Sequence, residues 1–298
     1  PFWPLNTCLY ATDFHGHDPR WVFRVVHEID FGSYNSGSAQ PSLNRNYLAN
    51  IPVQVPSRRE QERIAALLGA FDDLIATNQA LVAAHEAQQK AMFLDAWDGD
   101  ARCALGDVGQ ITMGQSPPGA SLGEVDNGMT FYQGVRDFGA RYPTRRVTTT
   151  DPKRIAEEGD VLVAVRAPVG ELNIATETTC LGRGLAGVRS PGRQATLFQA
   201  LRADSGVWDI HQGTGTVFAS INKQEMARLS VPWVDDDALE ARLSVLDESI
   251  FWLTEEIAGL TRTGDELLPL LMSGRVRVAE VVRAFATAAP TTLAAEAP

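Results

Sequence analysis

The sequence has 298 residues, enough for two globular units at roughly 100–200 residues each. Hydrophobic residues make up 44% and charged residues 21%, an ordinary globular mix, and no apolar run approaches the ~18 residues that would cross a bilayer, which excludes a membrane-spanning helix. The balance of 26 basic against 37 acidic residues, a net charge of −11, speaks against a chain that simply coats nucleic acid, because phosphate contacts need Lys and Arg.

Residues 1–57 read as a short opening segment. It begins with Pro1 and has neither a basic n-region nor a cleavage-type pattern, so it is expected to lack its natural N-terminus. Its His15-Gly16-His17 offers two imidazoles without a third or fourth ligand, a loop rather than a metal site. The segment also contains Ser36-Gly37-Ser38-Ala39-Gln40-Pro41-Ser42-Leu43-Asn44.

Residues 58–98 read as a long helix. Ile64, Leu68, Phe71, Ile75, Asn78, Val82, His85, Gln89, Met92 and Ala96 recur at alternating spacings of four and three, the 3.5-residue period of a coiled-coil seam. The polar members Asn78, His85 and Gln89 cost stability and can fix register.

Residues 104–234 read as a globular region of short strands and turns. Asp160–Arg166 is a buried strand entered through the Glu158-Gly159 turn. Leu172–Ala175 and Gly184–Arg189 are further strands, and short helices are expected at 195–201 and 223–228. An α+β domain with a strongly bent sheet fits best. Residues 236–273 then read as a second long helix with Leu239, Leu243, Leu246, Ile250, Leu253, Ile257, Leu260, Gly264, Leu267 and Leu271 in its seam. The tail over 284–298, rich in Ala, Thr and Pro, reads as disordered.

These elements are duplicated. Thr214-Gly215-Thr216-Val217-Phe218-Ala219-Ser220-Ile221-Asn222 repeats the earlier nonapeptide 178 positions on, as [ST]-G-[ST]-x-x-x-S-[LI]-N, and continues into Leu48 over Met226, Ile51 over Leu229 and Val53 over Val231. Every seam member of the second helix lies 175 positions after its partner in the first. Each helix would be roughly 57 Å long, too long to bury its stripe inside its own domain. Packing on each other is the simplest solution; two amphipathic helices over separate cores are the alternative.

Little here points to chemistry. The sequence contains no P-loop, HExxH, G-x-S-x-G or Asp…Glu-x-Lys pattern, and no Asn/Asp-Pro-Pro-aromatic tetrapeptide of an amino-methyltransferase. Gly182-Arg183-Gly184-Leu185-Ala186-Gly187 spells G-x-G-x-x-G, but Ser190-Pro191-Gly192 follows where a dinucleotide site needs a helix. No catalytic residue, metal site or cofactor is expected. Cys8, Cys103 and Cys180 lie far apart, which favours a reducing cytoplasm over a disulfide framework or zinc site.

The charge, however, is unevenly spread. Residues 235–275 hold ten acidic residues against three arginines, whereas 136–154 hold six basic against two acidic. Around Arg136-Asp137-Phe138-Gly139-Ala140-Arg141 and Thr144-Arg145-Arg146 the arginines alternate with Phe131, Tyr132, Phe138 and Tyr142. Such a stretch is either a solvated loop or a surface whose arginines contact base edges and phosphates.

Several stretches together resemble the DNA-specificity subunit of Type I restriction–modification enzymes. They are Ser36–Asn44 with Ile51-Pro52-Val53; Glu60–Ala65 with Phe71-Asp72-Asp73; Ile111–Pro118 with Phe131–Gly134; and Val165–Gly170 with Gly182–Gly184. Leu267–Gly274 resembles the family's closing segment, so the likeness spans about residues 1–278. The resemblance implies strand-rich target-recognition domains held apart by two conserved helices packed as an antiparallel coiled coil. Residues 1–57 would be the end of a first recognition domain and 104–234 a second. It also implies a non-catalytic subunit that binds double-stranded DNA. Such a subunit delivers partner adenine-N6 methyltransferase subunits and a restriction subunit to a bipartite site. A helix pair of roughly 57 Å exceeds one duplex turn of about 34–36 Å and could set the half-site separation. On this reading Arg136, Arg141, Arg145, Arg166 and Arg183 face DNA, with Gln115, Ser116, Thr216 and Lys223 as further contacts. Two other readings remain open: the recognition part of a fused restriction–methyltransferase polypeptide, and a coiled-coil adaptor that binds only protein.

Overall fold

A computed structural model describes residues 3, 5, 8–34, 43–124, 128–204, 206–208 and 220–288. The helices are α1 (Pro19–Glu28), α2 (Arg45–Leu48), α3 (Arg58–Ala96), α4 (Leu105–Val108), α5 (Gln194–Ala203), α6 (Lys223–Ala227), α7 (Asp237–Met272) and α8 (Val278–Ala288). The strands are β1 (Arg102–Ala104), β2 (Gln110–Met113), β3 (Leu122–Gly123), β4 (Met129–Tyr132), β5 (Thr148–Thr149) and β6 (Ile155–Ala156), followed by β7 (Val161–Ala164), β8 (Leu172–Ile174), β9 (Thr179–Leu181), β10 (Leu185–Arg189) and β11 (Ser230–Pro232). The chain divides into two compact units, residues 1–82 with 252–298, and residues 83–251.

In the first unit, the opening half of α3 packs on the closing half of α7. Ile64, Leu68 and Leu271 are buried together, with Phe71 and Leu267 against them. Asn78 is buried in the seam and donates from Nδ2 to Glu256 Oε2 at 2.9 Å. Its cost as a polar seam residue is therefore offset by a charge-assisted bond. Gly274, with φ +69, occupies the left-handed region just past α7, where an L side chain would be strained. Two helices join this core beyond what the sequence suggested. Helix α1 is a motif the sequence reading missed: Asp18 Oδ1 accepts from the backbone of Arg20 and Trp21, Pro19 sits at the first position, and Trp21 is buried on Ile64.

Helix α8 corrects the expectation for the tail. Residues 284–288 are helical rather than disordered, because Val278 and Val281 bury on the Leu271 cluster and Phe285 stands edge-on to Phe71 at 6.4 Å between ring centroids. Residues 289–298 lie outside those described.

In the second unit, α3 and α7 continue side by side. Gln89 donates to the Leu243 carbonyl at 3.0 Å and to Asp247 Oδ1 at 2.7 Å. Gln89 pairs with Asp247 while Phe93, one turn further along α3, clusters with Leu239, so within this unit the helices run antiparallel. Every expected seam residue except Ala96 is buried or half-buried. The first long helix begins at 58 as expected and ends two residues before 98, and the second is one residue shorter at each end than 236–273.

Between these helices stands an α+β lobe. Its ends are tied by an antiparallel ribbon of β1 and β11, with Cys103 opposite Val231. The lobe has two sheets where one bent sheet was expected: antiparallel β2-β10-β7-β8, and five-stranded β3-β5-β4-β9-β6 with β4 parallel to β9. All four residues of β7 are buried, as its continuous apolar run requires. Its side chains alternate between two cores. Val161 and Val163 pack toward Leu197, Phe198 and Met226, whereas Leu162 packs with Tyr132, Leu181 and Leu185 of the other layer.

The repeat has a local cause. Asn44 caps α2 by accepting from Asn46 N at 2.9 Å, and Asn222 caps α6 by accepting from Gln224 and Glu225 N. In the second copy the Glu225 carboxylate reaches back to Asn222 N at 2.9 Å, closing a capping box. Downstream the copies diverge: Met226, Leu229 and Val231 are buried in the lobe core, whereas Leu48 and Ile51 are half-buried and Val53 is exposed. Asn222→Ala is expected to lower stability by about 0.5–2 kcal/mol, and Asn44→Ala by less, as urea unfolding of the two variants will show.

Candidate nucleic-acid interface

Several of the expected contact residues sit on turns of the lobe, or at the start of α6, that are joined by a chain of backbone hydrogen bonds. Gly184 N donates to Gln133 O at 3.2 Å, Val165 N to Gly184 O at 2.9 Å, and Ile221 N to Val165 O at 3.1 Å. Gln115 N donates to Leu181 O at 2.9 Å, and Arg183 N donates to Ser116 Oγ at 3.4 Å. Gln115, Ser116, Arg166 and Arg183 thus stand on turns bonded to one another, with Arg136 three residues after Gln133 and Lys223 two after Ile221. Of these, Gln115, Arg136, Arg166, Arg183 and Lys223 are exposed and Ser116 is half-buried.

Glycines make this convergence possible. A Cβ on Gly114 would run into the carbonyl oxygens of Gly182 and Leu185, and one on Gly182 would stand 2.7 Å from Gln133 Cα. Gly182–Gly187 thus serves as a turn into β10 that lets three loops touch, and no helix opens there. The G-x-G-x-x-G spelling is steric in origin.

The arginines differ in how they are partnered. Arg166, Arg183 and Lys223 make no ion pair among the described residues. Arg136 Nε lies 3.5 Å from Asp137, whose carboxylate is already buried and accepts from Gln133 N at 2.8 Å. Arg145 Nε lies 3.7 Å from Glu177, an exposed pair of small energetic weight. Thr144 N next to it donates to the Asp137 carbonyl at 2.7 Å, which brings the Arg145 loop against the same turn. Beneath it, burial, reinforced by Glu177, pushes the Tyr132 hydroxyl up to about 12, so this phenol stays neutral. Thr216 lies outside the described residues.

Arg141 is a correction to the expected set. It is 4% exposed and turned away from solvent into the helix pair. Its guanidinium pairs with Glu86 at 3.1 Å and with Asp247, and stacks over the Phe198 ring at 4.5 Å. The sequence placed it in a basic run, but its neighbours Asn173 and Gly139 bond to one another and hold the loop against the helices. Burial is the larger influence on Asp247 and raises its carboxyl above the ordinary range, although Arg141 and Gln89 pull the other way.

Among the described residues no cluster of three or more His, Cys, Asp or Glu could hold a metal ion, and no helix is long and apolar enough to cross a membrane.

In the second unit an α+β lobe with exposed cationic turns is inserted between the ends of two long helices. Comparison with known proteins finds the following similarities. A family model described as the Type I restriction modification DNA specificity domain matches residues 18–84. A type I restriction enzyme specificity subunit of Methanocaldococcus jannaschii, MjaX, is 29% identical over 265 residues, covering 80% of this chain and 62% of that protein. The S subunit of a Type I restriction–modification system from M. genitalium superposes with a TM-score of 0.63 at 14% identity, over 88% of this chain and 74% of that one. The HsdS subunit of Thermoanaerobacter tengcongensis gives 0.45 at 24% identity, over 87% and 71%. The chain is similar to these Type I restriction specificity subunits and spans about three-fifths of the length of the M. jannaschii protein.

Proposed function

We propose that this chain is a non-catalytic DNA-recognition subunit that directs a partner adenine-N6 methyltransferase and a restriction endonuclease to a bipartite DNA site. The observation that carries this reading is the set of exposed cations, Arg166, Arg183 and Lys223, which lack acidic partners among the described residues and sit on hydrogen-bonded turns and at the start of α6, near Gln115 and Ser116 in the bonded network. Arg and Gln make bidentate contacts to base edges, and Arg, Lys and Ser hold phosphates. The lobe supplies the reading surface and the helix pair a stiff mount. The acidic outer faces of the helices disfavour contact with DNA along their length.

The test is methylome sequencing of cells with and without the gene, together with duplex selection by the chain co-expressed with its methyltransferase subunit. Loss of an N6-adenine motif on deletion is the expected result. Arg166→Ala and Arg183→Ala should each weaken binding by about 1–3 kcal/mol. A base contact relaxes one position of the motif, and a phosphate contact lowers the salt slope by about one. Unchanged methylation and no enriched sequence would overturn the reading in favour of a protein-only adaptor.

A further inference from the structure

We infer that Gln133 is a specificity-determining side chain of this interface and that it takes an adenine; the inference rests on the DNA-recognition reading and adds a residue and a base to it. Gln133 follows β4 and is held at every backbone point. Its N–H donates to Asp137 Oδ2 at 2.8 Å, and the Asp137 side chain is itself buried. Its carbonyl accepts from Gly184 N at 3.2 Å. Two glycines press on it so closely that a Cβ on Gly182 would lie 2.7 Å from Gln133 Cα, and one on Gly184 2.5 Å from Gln133 O. By contrast the side chain is exposed, and its amide makes no hydrogen bond to the described residues.

This combination differs from an ordinary surface glutamine. A turn that needed only a polar residue would not require a buried carboxylate on its N–H and two bare glycines against its Cα and carbonyl. The backbone is pre-ordered, so engaging the amide restricts only the side chain's own torsions. Arg183 and Ser116 stand on the loops bonded to it. Within such a set, the adjacent carbonyl and NH2 of a glutamine complement N6 and N7 of adenine in the major groove, whereas an arginine suits guanine or a phosphate. Asp137 is then a positioning residue, acting through the Gln133 backbone.

The full chain, co-expressed with its methyltransferase subunits, should be used to select from random duplexes, with Gln133→Ala and Gln133→Arg compared to wild type. Wild type should demand an adenine at one position that Gln133→Ala no longer demands, with all other positions retained. Binding of the alanine variant to the wild-type site should fall roughly tenfold to a hundredfold. Gln133→Arg should move the preference at that position to guanine. Because the side chain is exposed, both variants should melt as wild type does. An unchanged motif in Gln133→Ala, while Arg183→Ala weakens binding, would overturn the Gln133 assignment and leave DNA recognition standing. Weakening that is equal on all sequences would also overturn it, since that marks a backbone contact. A wild-type complex that enriches no sequence would bring down the function reading itself.

Discussion

Replacing Arg141 with alanine is expected to destabilise the unit formed by residues 83–251 by about 3–5 kcal/mol, the usual effect of removing one partner from a buried ion pair. The guanidinium meets Glu86 on α3 and Asp247 on α7 and covers Phe198 on α5, so it joins the lobe to both helices of its unit. Gln89, fully buried, accepts from Gln199 at 3.2 Å and donates to Asp247, which extends the network across α5. Without Arg141 the two carboxylates are left facing a poorly solvated seam. The pH dependence has a defined sign. Burial already holds Asp247 above its ordinary range, and loss of Arg141 would raise it further. A carboxyl raised in the folded state destabilises as pH climbs from the unfolded value through the folded one. The difference between wild type and Arg141→Ala should therefore be largest above that window and shrink as the solution is acidified. Urea unfolding at several pH values measures both quantities. A triple replacement, Arg141→Met with Glu86→Leu and Asp247→Leu, should recover much of the loss, since similar-sized apolar groups often replace buried charges without penalty. Equal midpoints for Arg141→Ala and wild type near neutral pH would show that the residue is not an anchor.

Leu243→Ala carries the other large effect, about 2–5 kcal/mol from lost burial and a residual cavity. Leu243 is fully buried with Leu239, Phe93, Ala195 and Ala200, where α3, α5 and α7 meet. Val245, two positions along the same helix, is 68% exposed, and Val245→Ala should stay within about 0.5 kcal/mol. Leu246→Ala should fall between, because that seam position is only half-buried. Thermal or denaturant unfolding of the three variants separates them. Similar losses at 243 and 245 would mean that the 3.5-residue seam does not organise this helix.

The residues of the proposed site were only partly legible. Arg166 and Arg183 came from the resemblance of Val165–Gly170 and Gly182–Gly184 to Type I specificity subunits, and the structure keeps both exposed. Gln133 was not singled out, because nothing in a Tyr-Gln-Gly tripeptide tells which atoms will be pinned. The available signal was the run of glycines at 182 and 184 together with Asp137 four residues on, and it is readable only once the loops are known to touch. Arg141 misled for the opposite reason. Charge counts along a sequence assign a residue to a run, while its fate depends on the carboxylates across the fold, here Glu86 and Asp247, 55 and 106 positions away.

By itself the sequence determined the two long helices, their seam, the main lobe strands and the repeated nonapeptide ending at Asn44 and Asn222. Each of these is written in the sequence itself: a 3.5-residue period, an apolar run, or a pattern that recurs 178 positions on. Only the tertiary structure decided that the lobe splits into two sheets, that residues 278–288 fold back as a helix on the Leu271 cluster, and which arginines meet solvent. Those outcomes depend on which distant groups come within bonding distance, and dehydration at such contacts alters a side chain's energy by more than its own identity does.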